Sequence, residues 1–488
     1  MRLSIIVKVM GGLLRVFGLM FVWPMVMGAY YREWTDLGGF LLAGLLASAI
    51  GQAMWSGYRE RELELRRIEA LAVVAFTWLI VAILGAVPYV WVGLSPIDAL
   101  FESMSGFTTT GATIFTDFGR FGRGLLFWRS LTQWIGGMGV ITLFVAILPR
   151  LSMGVGQLFF AETPGPTDEK LTPHIRKTAV VLWRLYVGLT LAEFVALSVA
   201  GMPYYDALCH AMTTLSAGGF SPNPLSISGY DNAVVEWIIC VFMFLAGVNF
   251  ALQYRALLGR PGVLFRNEEF KVYAAIVAGS ALLITGFLWS GGGDFTVALR
   301  QGTFQTLSIL TGTGYASVDF LLWSDQTRII LLVLMVIGGC AGSAAGGPKV
   351  ARHVLIGRYT LTELRRTLHP HGVLPVKIGG KVVPDDVMRT VLVFFLFYVL
   401  TFTLCAVAVI LLGADLVTGV TATMATLGNV GPGLGLVGPM ANYGHLHPLS
   451  KLVLTGAMWV GRLEILTVLA LLRFEVWQSV HWRAAPGR

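Results

Sequence analysis

The sequence predicts an all-α polytopic membrane protein with ten transmembrane helices, the last eight paired into four related helix–loop–helix repeats. Three observations predict it. Of the 488 residues, 56% are hydrophobic and only 13% charged, too little polar surface to keep a soluble domain in water. Apolar runs of roughly 18 residues or more, enough to cross about 30 Å of hydrocarbon as a helix, recur along the whole chain. Four short segments ending in glycine also align with one another at matching offsets.

Taken in order, apolar segments near 4–30 and 37–56 form a leading pair within 1–69. Arg2 and Lys8 give the first of them the look of a secretion signal, but its apolar region is too long and no small-x-small cleavage site follows. A retained helix is expected, with no soluble domain before or after the membrane part. Further spans lie near 70–92, 125–148, 178–200, 234–257, 272–290, 328–348, 390–413 and 450–472. They divide into units at 70–150, 178–258 and 272–350, a cytoplasmic linker at 351–389, and a last unit with the C-terminal tail at 390–488.

Charge sets the orientation. Placing "YRERELELRR" (58–67) in the cytoplasm puts the basic loops 149–177, 254–271 and 349–389 there too, and both termini with them. The opposite loop 202–233 holds no Lys or Arg. The same bias accounts for the net charge of +8 without a nucleic-acid partner. Cys209, Cys240, Cys340 and Cys405 are scattered through apolar segments, a spacing that suggests neither a disulfide framework nor a zinc site.

The aligned segments read "DALFESMSGFTTTG" (98–111), "DALCHAMTTLSAGG" (206–219), "QGTFQTLSILTGTG" (301–314) and "TGVTATMATLGNVG" (418–431). Each is too short to cross the membrane and return as a helix, so a half-helix followed by extended backbone is expected. Such backbone survives at membrane depth only where it is buried in protein or lines a water-filled cavity. The repeats therefore read as helix–pore loop–helix units around a central pore. Rings of backbone carbonyls can replace a cation's water, and glycine adopts the required φ/ψ values cheaply. Thr109, Thr110, Ser216, Thr311 and Thr313 are placed to add hydroxyl oxygens. Asp98 and Asp206 sit near half-helix N-termini, where a carboxylate is favourable. Asp117 and Asp319 read either as acids that concentrate cations at the mouth or as solvated loop acids.

The third repeat's second span is interrupted by "GGCAGSAAGG" (338–347), then Pro348 and Lys349, a composition that cannot hold a stable helix. It reads as close packing through small residues or as a loop that blocks the path below the pore loops. Arg462 lies inside the last apolar span, and an ionisable residue there is a functional candidate. It is either a pore-facing charge that holds the loop shut or one half of an internal ion pair. Glu464, two residues on, is a poor partner on a helix.

With "FTTTGAT", "LSAGGFS", "TGTGYAS", "LGNVGPGLG", "GGCAGSAAGGPKV" (338–350) and "GRLEILTVLALL" (461–472), nearly the whole chain resembles the Trk/Ktr/HKT superfamily of potassium transporters. It is most similar to the bacterial TrkH/TrkG branch. The resemblance implies filter glycines at Gly111, Gly219, Gly314 and Gly431. It implies potassium ligands at Thr110, Ala217, Gly218, Thr313, Asn429 and Val430 beside them, and a preference for potassium; a serine in the first loop would imply sodium. "LSAGG" departs from the pattern, with Leu215 or Ser216 where a threonine is more usual. The gate is implied at 338–349, with Gly338, Gly339, Gly342, Gly346, Gly347 and Lys349, closed by Arg462. Also implied are a bacterial inner-membrane location, a homodimer, and a cytosolic ring of nucleotide-binding subunits resembling TrkA. The basic linker, with Arg352, Arg358, Arg365 and Arg366, offers that partner a docking surface, or binds anionic lipid headgroups.

Other signals are set aside. "GLGLVG" (433–438) lacks the strand and helix of a dinucleotide site, "HPH" and "HLHP" lack further metal ligands, and there is no P-loop lysine. No nucleophile, base and oxyanion donor assemble, so no enzyme is indicated. The alternatives kept are the ion-translocating subunit of a potassium-pumping P-type ATPase and a sodium- or proton-coupled potassium symporter. An organic-solute transporter would show inverted repeats, whereas these four run in parallel orientation.

Overall fold

The computed structural model describes residues 1–57, 65–151, 171–369 and 374–472. Most of the charged run 58–67, most of the loop 149–177 and the tail beyond 472 lie outside the described residues. The chain is mostly helical. Among the described residues, six helices are each long and apolar enough to cross a membrane: Leu3–Tyr30, Trp34–Ser56, Ile68–Trp91, Thr178–Val199, Glu268–Ser290 and Asp385–Leu411. The leading pair packs through glycines. A Cβ on Gly11 would lie 2.8 Å from the Gly51 carbonyl oxygen, and one on Gly51 would lie 2.9 Å from that of Gly11. Small residues let two helix backbones close up where no water is available to drive them together.

Two spans expected to be continuous are broken. Ala233–Ala246 and Phe250–Leu257 meet at 105°, so 234–257 is not one straight helix. The cause is local and tertiary together. Asn249 opens the second piece by accepting from the Leu252 amide at 3.0 Å. The groups freed by the break are taken by the glycine-rich segment 338–347. Cys340 N donates to Gly247 O at 2.9 Å, Ala344 N to Ala246 O at 3.1 Å, and Phe250 N to Gly342 O at 3.1 Å. At 450–472 the helix Pro448–Arg462 stops and Ile465–Leu472 restarts after Glu464, which has φ 63°. The expected interruption in the third repeat is present: Asp325–Met335 ends, and helix resumes only at Val350–Leu368.

The region read as a basic loop is largely ordered as helix. Val350–Leu368 is followed by a two-stranded antiparallel hairpin, Lys377–Ile378 against Lys381–Val382, turning at Gly379–Gly380. Three of its arginines have acidic partners. Arg352 pairs with Glu464 at 2.7 Å, Arg358 with Glu268, and Arg366 with Glu363 at 2.6 Å.

Four short helices lie between the long ones: Pro96–Phe107, Tyr204–Leu215, Phe295–Leu310 and Leu416–Leu427. All four begin with acidic help for their free amides. Asp98 and Asp206 lie in first turns, and Asp294 and Asp415 cap the third and fourth helices through side-chain hydrogen bonds.

Candidate ion pathway

The four short helices end alike. Two residues before each aligned glycine the backbone turns left-handed, at Thr109 (φ 52°), Ala217 (54°), Gly312 (75°) and Asn429 (53°). Each of those amides donates to the carbonyl three residues back: to Gly106, Thr214, Ile309 and Thr426 at 2.9–3.2 Å. The aligned glycines are then themselves left-handed, Gly111 at φ 81°, Gly219 at 77°, Gly314 at 76° and Gly431 at 97°. In the first and third loops the hydroxyls flanking this turn join, Thr108 to Thr110 and Thr311 to Thr313, both at 2.8 Å. The second and fourth loops carry Gly218 and Val430 where those have Thr110 and Thr313.

These loops interlock. A Cβ on Gly111 would come within 3.0 Å of the Gly218 carbonyl oxygen. The same holds for Gly219 against Thr313 O, Gly314 against Val430 O, and Gly431 against Thr110 O. First touches second, second third, third fourth, and fourth first, so the circle closes. Glycine is required twice at each place, by φ and by the neighbouring carbonyl. All four glycines line one cavity of 240 Å³, together with Thr113, Phe220 and Tyr443.

The segment 338–349 sits against this ring. A Cβ on Gly346 would meet the Gly428 carbonyl oxygen and, at 2.9 Å, the Asn429 Cβ. Gly338, Gly342 and Gly347 all have positive φ, as does Lys349 at 74°. Gly339 is packed against Ala345 and the Gly247 carbonyl. Two cations reach in: the Lys349 ammonium donates to Ala345 O, and Arg462 Nη1 donates to Ala344 O at 3.0 Å. Arg462 is only 5% exposed, and its Nε and Nη2 have no partner among the described residues. Glu464 is taken by Arg352, so the internal-pair reading of Arg462 finds no carboxylate there.

A family model described as "TrkH: Cation transport protein" matches residues 39–272 and 294–483. The chain belongs to the TrkH family. Its relatives include the Trk system potassium uptake protein TrkH of Halomonas elongata, 37% identical over 98% of this chain and 100% of the relative. The corresponding TrkG of Escherichia coli is 35% identical over 98% and 99%. The crystal structure of the potassium transporter TrkH from Vibrio parahaemolyticus superimposes with a TM-score of 0.90 at 33% identity, covering 98% of this chain and 100% of that one. These relatives are transporters, and this TrkH-family chain is a multi-pass membrane protein and no enzyme.

Several residues that support the loops are invisible to motif reading. Gln133 Nε2 donates to Gly218 O at 2.6 Å while its Oε1 accepts from Phe220 N at 3.0 Å. Tyr443 donates to Gly431 O at 2.7 Å. Glu269 Oε1 accepts from Ala341 N at 2.7 Å and from Ala351 N at 3.2 Å, holding both ends of the interrupted segment. Asp117 and Asp319 act as caps, accepting from Gly119 N at 2.9 Å and Leu321 N at 3.0 Å. Neither lines the cavity at the ring.

Proposed function

We propose that this TrkH-family protein takes up potassium across the bacterial inner membrane through a four-loop carbonyl filter gated by the segment 338–349. The observation that carries the reading is the closed circle of glycines and carbonyls around one cavity. A dehydrated monovalent cation needs oxygens on all sides without a fixed counter-charge, and backbone carbonyls of successive loops supply that. The relatives' printed names, potassium uptake proteins, support the choice of ion.

In this reading ten segments cross the membrane, and the last eight form repeats at 70–150, 178–258, 272–350 and 390–488, both termini being cytoplasmic. Oxygens of Thr110, Gly111, Ala217, Gly218, Thr313, Gly314, Asn429 and Val430 hold the ion, with Gly219 and Gly431 shaping the ring. The glycines of 338–347 let the gate segment fold tightly, and Lys349 and Arg462 hold it closed by their bonds to Ala345 and Ala344. A homodimer and a cytosolic nucleotide-binding regulator that docks near 351–389 complete the proposal.

The test is uptake of rubidium and of sodium by proteoliposomes of the purified protein, with and without an imposed voltage. Rubidium uptake that follows voltage and exceeds sodium uptake supports the reading. Equal uptake of both ions, or none from folded protein even when Arg462→Ala frees the gate segment, overturns it.

A further inference from the structure

The residue nine positions before each ring glycine is Glu102, His210, Gln305 or Ala422. Three of these side chains bridge from the short helix to the limb just past the glycine. Glu102 accepts from Ile114 N at 2.9 Å and from the Thr113 hydroxyl at 3.0 Å. His210 Nε2 lies 3.1 Å from the Ser221 hydroxyl, and Gln305 Nε2 donates to the Ser317 hydroxyl at 3.3 Å. In the fourth loop Ala422 is apolar, and the adjacent Thr421 takes over, accepting from Leu434 N at 2.9 Å. Only the first brace is anionic.

Its counter-ion is Arg129, from the helix Arg123–Leu151 that follows the first loop, at 2.8 Å with both side chains almost fully buried. The guanidinium also donates to the Thr113 hydroxyl at 3.1 Å and, across to the second loop, to Ser221 O at 3.2 Å. Its carbon lies over the rings of Phe220 at 4.1 Å and Phe115 at 4.5 Å. One turn along the same helix, Gln133 holds the Gly218 carbonyl and the Phe220 amide. One helix face therefore fixes the first loop's outer limb and the second loop's ring carbonyl relative to each other.

A buried ion pair is a poor source of stability, because desolvation of two charges offsets their attraction. Its geometry is stiff, however, because a guanidinium donates in a fixed planar fork. Arg129 also lines the cavity above the ring, where an unpaired positive charge would repel an entering cation. Glu102 cancels that charge at contact distance.

We propose that Glu102, Arg129 and Gln133 are positioning residues for ion discrimination: they set the distance between the first two loops while keeping the cavity mouth electrically neutral. The proposal rests on the filter reading above and adds which side chains make it selective. Arg129→Lys keeps the charge but gives up the planar fork that reaches Glu102, Thr113 and Ser221 together. Gln133→Met keeps the volume and frees the Gly218 carbonyl.

The experiment measures initial sodium and rubidium uptake in proteoliposomes for Arg129→Lys, Gln133→Met and, as a perturbation of the ring itself, Gly111→Ser. Monodispersity in detergent and the thermal midpoint report on folding. A rise of at least fivefold in the sodium-to-rubidium ratio for Arg129→Lys and threefold for Gln133→Met supports the brace. Should Arg129→Lys fail to fold, Gln133→Met decides alone. If folded variants keep the ratio within twofold while Gly111→Ser changes it, the brace is refuted and the filter stands. If Gly111→Ser also leaves the ratio unchanged, the filter reading fails.

Discussion

Arg462 holds the interrupted segment directly: its Nη1 donates to the Ala344 carbonyl at 3.0 Å from a side chain almost wholly buried. A hydrogen bond to a charged group contributes about 1.5–3 kcal/mol. For a gate that rests closed, Arg462→Ala loses that bias and shifts it toward open by about 12- to 160-fold. On the proposed reading it also removes a positive charge next to the ion's path. Steady rubidium uptake is expected to rise several-fold. Unchanged or lower uptake in a well-expressed, monodisperse variant counts against a blocking charge.

Glu269 grips the same segment from the other side, through the amides of Ala341 and Ala351. Its neighbour Glu268 accepts from Gly379 N at 2.7 Å and pairs with Arg358, so the hairpin at 377–382 and the interrupted segment hang from consecutive residues. Glu269→Ala leaves two buried amides unpaired, at roughly 1–3 kcal/mol each. Hydrogen exchange at Ala341 and Ala351 is expected to accelerate at least tenfold, with a rise in basal uptake. Protection equal to the parent protein would show that the amides are held by something other than this carboxylate.

What the sequence made legible follows from which constraints act locally. Gly111, Gly219, Gly314 and Gly431 stood out because a left-handed φ facing a neighbouring carbonyl leaves room for glycine alone, and the four loops share one offset. The break at 338–347 was equally plain, since glycine and alanine in that density cannot sustain a helix. The break at Gly247–Asn249 was not, because the Asn249 cap is an ordinary local signal and the rest of its cause is distant in sequence, in the amides of Cys340 and Ala344 that take its carbonyls. Gln133, Glu269 and Tyr443 were missed for the same reason: each is an ordinary residue on an ordinary helix or loop until the chain folds. Asp117 and Asp319 carried two readings, acids that concentrate cations and plain loop acids, which the local sequence does not separate. Acids near a pore loop suggest cation attraction, yet a free amide two residues on is the nearer claim on each of them.

The Lys451–Asp98 pair, at 2.6 Å, ties the helix Pro448–Arg462 to the N-terminus of the first short helix. The Lys451 side chain is only 6% exposed and Asp98 is 27% exposed, and Lys451 also donates to Gly444 O at 2.8 Å. Removing one partner of a buried pair costs about 3–5 kcal/mol, and partial solvation of Asp98 places this one near 2 kcal/mol. Asp98→Asn is expected to lower the thermal midpoint in detergent by several degrees. Adding Lys451→Met should recover most of that loss, because the stranded charge is then gone. A double variant no more stable than Asp98→Asn would assign the loss to the helix N-terminus instead.

Gly219→Ala tests the interlocked ring most sharply. The alanine Cβ would overlap the Thr313 carbonyl oxygen, and the backbone at φ 77° is unfavourable for any side chain. Neither strain can relax alone. Turning the peptide would break the Ser216–Gly219 conformation that Gln133 holds, and displacing Thr313 O would pull the third loop off the ring. The left-handed conformation costs about 1–2 kcal/mol, and the clash adds to it. The protein should still fold, since the long helices and their cores are untouched. Rubidium uptake is expected to fall at least tenfold, with discrimination against sodium lost in what remains. Uptake and selectivity equal to the parent's would mean that Thr313 O and Gly219 do not share the ion's route.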